Sequence, residues 1–206
     1  MTGRKMLPAT ELAVAGGVDD RHLIKSGQKP PRMAIQILTD ARYMLMAADE
    51  AIRGIERMGP GYGGQVGCVL VGADGTVLSR SHNSVHEGTR MHAEELALAN
   101  QECLYAATMY VTTEPCNGNP YHSRRHCCEQ IADSGLHRVV LADLKGYYGG
   151  GAEYLLTRGV EVDWLRNDGL NTLCKLLKAN AQAGGALSGK TLREIAAVRA
   201  GIYLYA

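Results

Sequence analysis

Short apolar runs alternate with helix-like segments through the middle of the chain, and this alternation constrains the fold more than any other feature. Residues 76–80 follow an Asp74-Gly75 turn and predict a strand that returns beside the first one. A strand, a helix and a strand in succession predict a parallel pair with a right-handed crossover. The sequence therefore predicts an α/β fold, a three-layer α/β/α sandwich around one five-stranded mixed sheet. Besides 76–80, the predicted strands are 65–71, 107–113, 137–143 and 160–164.

Helix-forming segments separate most of these strands. Residues 33–57 repeat apolar side chains at a spacing of about 3.6 residues, which predicts a long helix ahead of the first strand. The segment 92–101 (HAEELALANQ) is rich in helix formers, and Leu96, Ala99 and Cys103 are predicted to form its buried stripe. Further helices are predicted at 127–134, 152–158, 171–181 and 191–200.

Two extensions flank the predicted domain. Lys29-Pro30-Pro31-Arg32 breaks any helix and marks a boundary, so residues 1–31 are assigned to an N-terminal extension. Residues 32–181 are assigned to the domain itself. A Gly184-Gly185 pair lies in the C-terminal extension, 182–206, whose apolar end (GIYLYA) we expect to pack on the domain or on a neighbouring subunit.

Composition argues against several classes of protein. The formal net charge is only +1, which disfavours broad electrostatic steering onto polyanions such as nucleic acid. No apolar run approaches the roughly 20 residues of a membrane-spanning helix, and the first residues make a poor signal peptide. We therefore expect a cytoplasmic protein, in which clustered cysteines and histidines indicate metal binding or catalysis more often than disulfides.

The stretch from Met91 to Cys128 carries residues suited to a metal-dependent reaction. One imidazole, His92, and two thiolates suit a tetrahedral zinc that keeps its fourth position for water, and Glu94 can reach that water without being a ligand. Cys116 follows a predicted strand, and Cys127 and Cys128 begin a predicted helix, where the helix dipole favours a thiolate. Neighbouring side chains on a helix point about 100° apart, so only one of this pair can bind, and the spacing leaves open which one.

These motifs resemble those of the cytidine deaminase superfamily. His92-Ala93-Glu94 followed by Pro115-Cys116 matches its H-x-E…P-C signature. The resemblance runs from about Met44 to Asn180. Within the superfamily, HCCEQIADSGLHRVV (126–140) looks like the riboflavin-pathway pyrimidine deaminases, which also carry a longer insertion after Pro-Cys and a ligand Cys before a helix.

The resemblance implies a cytidine deaminase-like fold, in agreement with the alternation of strands and helices. It implies one Zn²⁺ per chain held by His92, Cys116 and Cys127, with Glu94 as the catalytic residue that moves protons. The reaction implied is the hydrolytic release of ammonia from an aminopyrimidine or a related nucleobase or nucleotide. Members of the superfamily are commonly oligomeric, so we expect a homodimer or a higher homo-oligomer.

Candidate substrate contacts surround this motif. His82-Asn83, at the start of a predicted polar loop (81–91), is similar to the His-Asn pair of nucleoside and tRNA deaminases, where the Asn touches base or sugar. The insertion 117–126 carries two arginines, whose guanidinium groups suit a phosphate. Where the riboflavin-pathway family has Pro-Asn-Pro, this chain has Tyr62-Gly63-Gly64-Gln65, so the substrate ring stays open. The candidate substrate contacts are His82, Asn83, His86, Ala93, Glu114, His122, Arg124 and Arg125.

Three hypotheses about function follow from these motifs. The first is a deaminase of a small aminopyrimidine or nucleotide. The second is a deaminase of an unstacked base in tRNA or single-stranded nucleic acid, which the near-neutral charge disfavours. The third is a non-catalytic zinc protein that uses the fold for assembly. Glu94 argues against the third, because a structural zinc site does not need that carboxylate.

Overall fold

The computed structural model describes residues 32–58, 65–102, 104–118, 125–143, 149–182 and 189–203. Five strands in this part of the chain form one sheet, two form a separate hairpin, and helices pack on the sheet. In chain order the elements are α1 (Arg32–Met58), β1 (Gly67–Val71), β2 (Val77–His82), β3 (Ser84–His86), β4 (Thr89–Met91), α2 (Ala93–Leu98), β5 (Thr108–Val111), α3 (Cys127–Asp133), β6 (Arg138–Leu141), α4 (Gly151–Thr157), β7 (Glu161–Trp164), α5 (Asp168–Gln182) and α6 (Gly189–Tyr203).

The main sheet is mixed, which confirms the prediction from the sequence. Its strand order is β2-β1-β5-β6-β7. Strand β1 pairs antiparallel with both β2 and β5, whereas β5, β6 and β7 run parallel to one another. The carboxyl ends of β5 and β6 therefore lie at the same edge of the sheet as the end of β2. Loops that follow these three strands are brought together at this edge, which we call the carboxyl edge.

Both faces of the central strands β1, β5 and β6 are buried, because these strands alternate apolar side chains between two helical layers. In β1, Val69 and Val71 belong to the core beneath α1, α5 and α6. Cys68 and Leu70 point the other way and belong to the core beneath α2, α3 and α4. These two cores confirm the predicted three-layer α/β/α sandwich.

Helix α1 packs closely on β1. Ala47, Ala48 and Ala51 are fully buried on the sheet side of the helix. A Cβ atom added at Gly67 would overlap the carbonyl oxygen of Ala47, so the strand has no room for a side chain at this position. Small residues on both elements therefore set the distance between the long helix and the sheet.

A buried ion-pair network joins α1 to the parallel half of the sheet. The two terminal guanidinium nitrogens of Arg138 donate to the two carboxylate oxygens of Asp40 at 2.9 and 2.8 Å. The Tyr110 hydroxyl donates to the same carboxylate at 2.9 Å, and burial together with the Asp40 charge raises the pKa of Tyr110 above its usual range. Asp163 accepts a further hydrogen bond from Arg138 Nε at 2.7 Å. The Asp40 and Arg138 side chains are each 11% exposed, so this pair is largely desolvated.

The segment 81–91, predicted as a polar loop, contains the hairpin formed by β3 and β4. Glu87 and Gly88 close it with positive φ angles of 49° and 74°. Two consecutive positive φ angles are those of the two-residue hairpin turn that matches the twist of the flanking strands. The loop prediction was therefore wrong for eight of its residues: 81 and 82 belong to β2, and 84–86 and 89–91 form the hairpin.

Helix α2 is shorter than predicted and buries a different face. It ends at Leu98, and Asn100 has a φ of 62°, a left-handed conformation that commonly terminates a helix. The predicted stripe was wrong: Leu96 is half-buried and Ala99 is exposed, while Cys103 lies outside the described residues. The residues that α2 buries are Ala93, Glu94 and Ala97.

The C-terminal extension contributes a helix to the α1 layer. Helix α6 packs against α5, and its Ile195 is buried in the core beneath α1. The predicted N-terminal extension, 1–31, lies outside the described residues, as do residues 204–206. Among the helices of the described part of the chain, none has the length and hydropathy needed to cross a lipid bilayer.

Candidate metal centre

Three side chains from separate segments converge at the carboxyl edge of the sheet. His92 Nδ1 lies 3.2 Å from Cys127 Sγ and 3.6 Å from Cys116 Sγ. The three candidate ligand atoms all lie within 4.8 Å of one another, and both thiols are buried. Within the described ranges this is the one cluster of three His, Cys, Asp or Glu side chains so arranged. One imidazole and two thiols at these separations match the donor set of a tetrahedral zinc with one open position.

Matching caps hold the two helices that start at the cluster. Glu95 Oε2 accepts a hydrogen bond from the backbone N–H of His92 at 2.7 Å, at the start of α2. Glu129 Oε2 accepts from the N–H of His126 at 2.9 Å in the same way, at the start of α3. Gln130 Nε2 donates to Glu95 Oε1 at 3.3 Å and so links the two caps. These bonds fix the first turns of both helices relative to each other.

The structure distinguishes Cys127 from Cys128. The backbone N–H of Cys128 donates to the Cys116 carbonyl at 3.3 Å, and the N–H of Cys127 donates to Cys116 Sγ at 3.4 Å. Cys127 Sγ faces His92, whereas the Cys128 side chain is fully buried in the core beneath α2, α3 and α4. The helical offset between neighbouring side chains thus places Cys127 in the cluster and Cys128 in the core.

The pKa of Cys127 shows how the protonation of the cluster depends on a bound cation. The neighbouring Cys116 thiol and burial raise the pKa of Cys127 well above its usual range, and the Glu94 charge adds to this rise. Without a cation the Cys127 thiol therefore favours its protonated form. A bound divalent cation reverses this preference, because its ligand is the thiolate. The chemistry of the donor set thus fits one Zn²⁺ at His92, Cys116 and Cys127.

Asn83 and Ser81 hold the residue that links His92 to Glu94. Asn83 Oδ1 accepts a hydrogen bond from the Ala93 N–H at 2.9 Å, and the Ser81 hydroxyl donates to the Ala93 carbonyl at 2.7 Å. Asn83 is 4% exposed and Glu94 is 3% exposed, so this contact lies inside the protein. The end of β2 therefore fixes the backbone from which both side chains project.

Glu114 and its neighbours tie the Cys116 loop to α4. Glu114 Oε1 accepts hydrogen bonds from the backbone N–H groups of Gly150 and Ala152 at 3.1 and 3.0 Å, at the start of that helix. A Cβ atom at Gly151 would overlap the carbonyl oxygen of Pro115. The loop that carries Cys116 and the first turn of α4 are therefore in direct contact.

The remaining candidate substrate contacts lie in different surroundings. His82 Nδ1 contacts Glu50 Oε2 of α1 at 3.2 Å, on the opposite side of β2 from the Ser81 side chain. His86 is exposed in the β3–β4 hairpin, which leads into His92. Arg125 is exposed and forms an ion pair with Asp133 of α3. His122 and Arg124 lie outside the described residues.

The sequence reasoning missed the capping residues Glu95 and Glu129. The signal that could have identified them is the repeated spacing His-x-x-Glu, at His92 to Glu95 and again at His126 to Glu129. The roles of Ser81 and Glu114 carry no comparable local signal, because their partners lie at least 12 residues away in the chain.

Comparison with known proteins relates these features to a family. Residues 38–143 match the family model described as the cytidine and deoxycytidylate deaminase zinc-binding region. This match covers just over half of the chain and includes all three clustered ligands and Glu94. The chain therefore belongs to the family of zinc-binding cytidine and deoxycytidylate deaminases.

The individual relatives include riboflavin-pathway proteins. Riboflavin biosynthesis protein RibD of Aquifex aeolicus (strain VF5) is 35% identical over 102 residues, which are 48% of this chain and 27% of that protein. The crystal structure of the Thermotoga maritima diaminohydroxyphosphoribosylaminopyrimidine deaminase/5-amino-6-(5-phosphoribosylamino)uracil reductase aligns with a TM-score of 0.59 and 26% identity, over 72% of this chain and 42% of that chain. This chain thus spans less than half the length of either protein.

A third relative supports the fold alone. The Aspergillus oryzae Rib2 deaminase in complex with DARIPP aligns with a TM-score of 0.56 over 79% of this chain and 99% of that chain, at 16% identity. The identity is low, but the alignment includes nearly the whole of that chain, which is a C-terminal deletion mutant. The described part of this chain therefore shares the fold of that chain.

Proposed function

We propose that this protein is a zinc-dependent hydrolytic deaminase that releases ammonia from an aminopyrimidine or a related small nucleobase or nucleotide. The observation that carries the proposal is the convergence of His92, Cys116 and Cys127 beside the buried carboxylate of Glu94. A zinc site with a structural role alone is closed by four protein ligands and needs no adjacent carboxylate. Three ligands with a carboxylate nearby are the arrangement of a hydrolytic site.

The chain's own residues supply binding, orientation and proton transfer. Zinc, when bound, supplies a water molecule that loses its proton readily. Glu94 accepts one proton of that water and delivers it to the ring nitrogen, then moves the second proton to the departing amino group. The ring carbon gains an oxygen and the amine leaves as ammonia, so atoms and protons balance. The contact between Asn83 and Ala93 keeps Glu94 in place through this transfer.

The class of substrate follows from the relatives together with the residues at the site. The Thermotoga protein is named for a phosphoribosylated aminopyrimidine, which supports an aminopyrimidine here. The segment 62–65 differs from that family's Pro-Asn-Pro turn, so we propose the ring class and not the riboflavin intermediate itself. We further propose that Asn83 and His86 contact the substrate, because both precede His92 at the carboxyl edge. Members of the superfamily are commonly oligomeric, which also supports a homo-oligomer here. Light scattering of the full chain would measure its mass.

Ammonia release by the zinc-loaded full chain tests the proposal. The panel holds cytosine, cytidine, dCMP, adenine and guanine derivatives, the riboflavin-pathway aminopyrimidine nucleotide, and short single-stranded RNA and DNA. We expect ammonia from a small molecule and a decrease of about a hundred- to ten-thousandfold in Glu94→Gln, as the loss of a general acid–base residue produces. Zinc content should stay at one per chain in this variant, because Glu94 is not a ligand.

The matched control is Glu56→Gln, the same change at an exposed carboxylate of α1. It should keep full activity. Release from oligonucleotides alone would contradict the proposed substrate class while retaining the chemistry. Equal activity of Glu94→Gln and the unchanged protein would contradict the mechanism.

A further inference from the structure

A second cleft, rich in arginine, opens between α1 and the edge strand β2. Its volume is about 470 Å³, which lies within the range of roughly 300–1,000 Å³ found for small-molecule sites. We call it the arginine cleft and define it by Glu50, Arg53 and Arg57 of α1 with Arg80 and His82 of β2. None of these five residues belongs to the proposed metal centre.

One buried carboxylate organises the cations of this cleft. The Glu50 side chain is 5% exposed, and its Oε1 accepts hydrogen bonds from Arg53 Nη1 at 2.7 Å and from Arg80 Nε at 2.9 Å. Its other oxygen lies 3.2 Å from His82 Nδ1. These contacts hold two guanidinium groups and an imidazole in a fixed arrangement around a single negative charge.

The cleft carries an excess of positive charge. Three arginines face one glutamate, which leaves two positive charges even when His82 is neutral. Arg57 has no ion-pair partner among the described residues, and Arg53 and Arg80 each use one nitrogen for Glu50. The remaining guanidinium donors are therefore available to an anion that enters the cleft.

We propose that the arginine cleft binds the phosphate group of a small ligand. Guanidinium groups form paired, charge-assisted hydrogen bonds to phosphate oxygens, and they stay charged at every physiological pH. Glu50 orients Arg53 and Arg80 in advance, so these two side chains lose little freedom on binding. The cleft is larger than a phosphate ion, and the additional space, bordered by Leu96 of α2, accommodates the rest of the ligand.

The cleft and the metal centre both use residues at the end of β2. His82 precedes Asn83, whose side chain holds the N–H of Ala93, the residue after His92. The phosphate therefore has two possible sources: a phosphorylated substrate that reaches from the metal centre, or a separate phosphorylated ligand. The first source rests on the proposed deaminase function, and the second does not.

Titration of the zinc-loaded full chain with inorganic phosphate and with ribose 5-phosphate, followed by calorimetry, tests the cleft directly. We expect Arg57→Gln to weaken binding about tenfold, as the loss of one charge-assisted hydrogen bond does. The matched control is Arg42→Gln, the same change at an exposed arginine of α1 outside the cleft, and it should bind phosphate like the unchanged protein. Equal binding by Arg57→Gln and the unchanged protein, an equal loss in both variants, or no phosphate binding at all would overturn the proposal.

Steady-state kinetics then separate the two sources. If the phosphate belongs to the substrate, Arg57→Gln raises KM for the phosphorylated substrate about tenfold and leaves KM for its dephosphorylated form unchanged. If it belongs to a separate ligand, calorimetry still shows the weaker phosphate binding, while KM is unchanged for both substrates. If the chain releases no ammonia at all, the deaminase proposal fails. The calorimetric titration still tests phosphate binding in the cleft, so the two failures can be told apart.

Discussion

The buried ion pair between Asp40 and Arg138 allows a quantitative test of how α1 is attached to the sheet. Asp40→Asn keeps the shape of the side chain but removes the charge and one of the two acceptors that Arg138 uses. Breaking one partner of a fully buried pair costs about 3–5 kcal/mol. Arg138 retains Asp163 at 2.6 Å, and that carboxylate is 45% exposed, so part of the cost is offset. We expect a net loss of about 2–3 kcal/mol in the free energy of unfolding.

Urea unfolding of the zinc-loaded protein, followed by circular dichroism, measures this loss. Thermal unfolding gives a second measurement. A domain of this size loses about 2–4 °C of Tm per kcal/mol, so Tm should fall by about 4–12 °C. The control Asp163→Asn alters the exposed partner of the same arginine and should cost about 1 kcal/mol or less. Activity per folded molecule should be unchanged in both variants, because neither residue is a zinc ligand or a proposed substrate contact.

Two results would refute the reasoning. A cost below about 1 kcal/mol for Asp40→Asn would mean that the pair behaves as a surface contact. An equal cost for Asp40→Asn and Asp163→Asn would mean that Arg138 depends on both carboxylates alike. The double variant Asp40→Asn with Arg138→Gln gives a further check, because removing the unpaired charge should recover part of the lost stability.

Three other predictions follow from the site and the sheet. Cys127→Ala should abolish stoichiometric zinc binding whereas Cys128→Ala should retain one zinc per chain, as measured by atomic absorption; the reverse pattern would reassign the ligand. Gly151→Ala should weaken zinc binding about 10–100-fold in a chelator competition, because the added methyl group displaces Pro115 and with it the neighbouring Cys116. The control Thr157→Ala, at the other end of α4, should leave zinc affinity unchanged. Equal zinc affinities of the two variants would contradict the contact with Pro115. The raised pKa of Tyr110 keeps its hydroxyl protonated in the fold, so its contribution to stability is complete below pH ~10 and declines above it, where the unfolded chain ionises. Tyr110→Phe should show a smaller decline between pH 9 and 11 in urea unfolding, and an unchanged decline would assign the loss to other groups.

The sheet could be predicted from the sequence because its strands are local signals. QVGCVLV is a nearly continuous apolar run and HRVVLAD contains the shorter run VVLA, and a strand buried on both faces needs such a run. The cluster of His92, Cys116 and Cys127 could be predicted for another reason, because these residues belong to a motif whose residue types the metal requires. The match to the family and the cluster of one His and two Cys side chains confirm the prediction of one Zn²⁺, while the roles of the individual residues stay predictions.

The parts that could not be predicted depend on contacts across the fold. Asn83 and Glu114 were predicted as substrate contacts, and the structure adds that each accepts a hydrogen bond from a backbone N–H at the start of a helix. Their substrate roles stay predictions. The β3–β4 hairpin was missed because Glu87-Gly88 is a weaker turn signal than Asn-Gly or Asp-Gly. The early end of α2 at Leu98 carried a usable signal in Asn100, since Asn tolerates the left-handed conformation that stops a helix.

The contact between α4 and the Cys116 loop makes these two segments one mechanical unit. Glu114 is bonded to the backbone of α4, and Gly151 lies against Pro115 with no intervening side chain. A displacement of α4 must therefore carry Cys116, a proposed zinc ligand, with it, while His92 and Cys127 remain on their own capped helices. Substitutions in α4 that contact neither metal nor substrate should thus lower the zinc content of the purified protein. The turnover per bound zinc should change less.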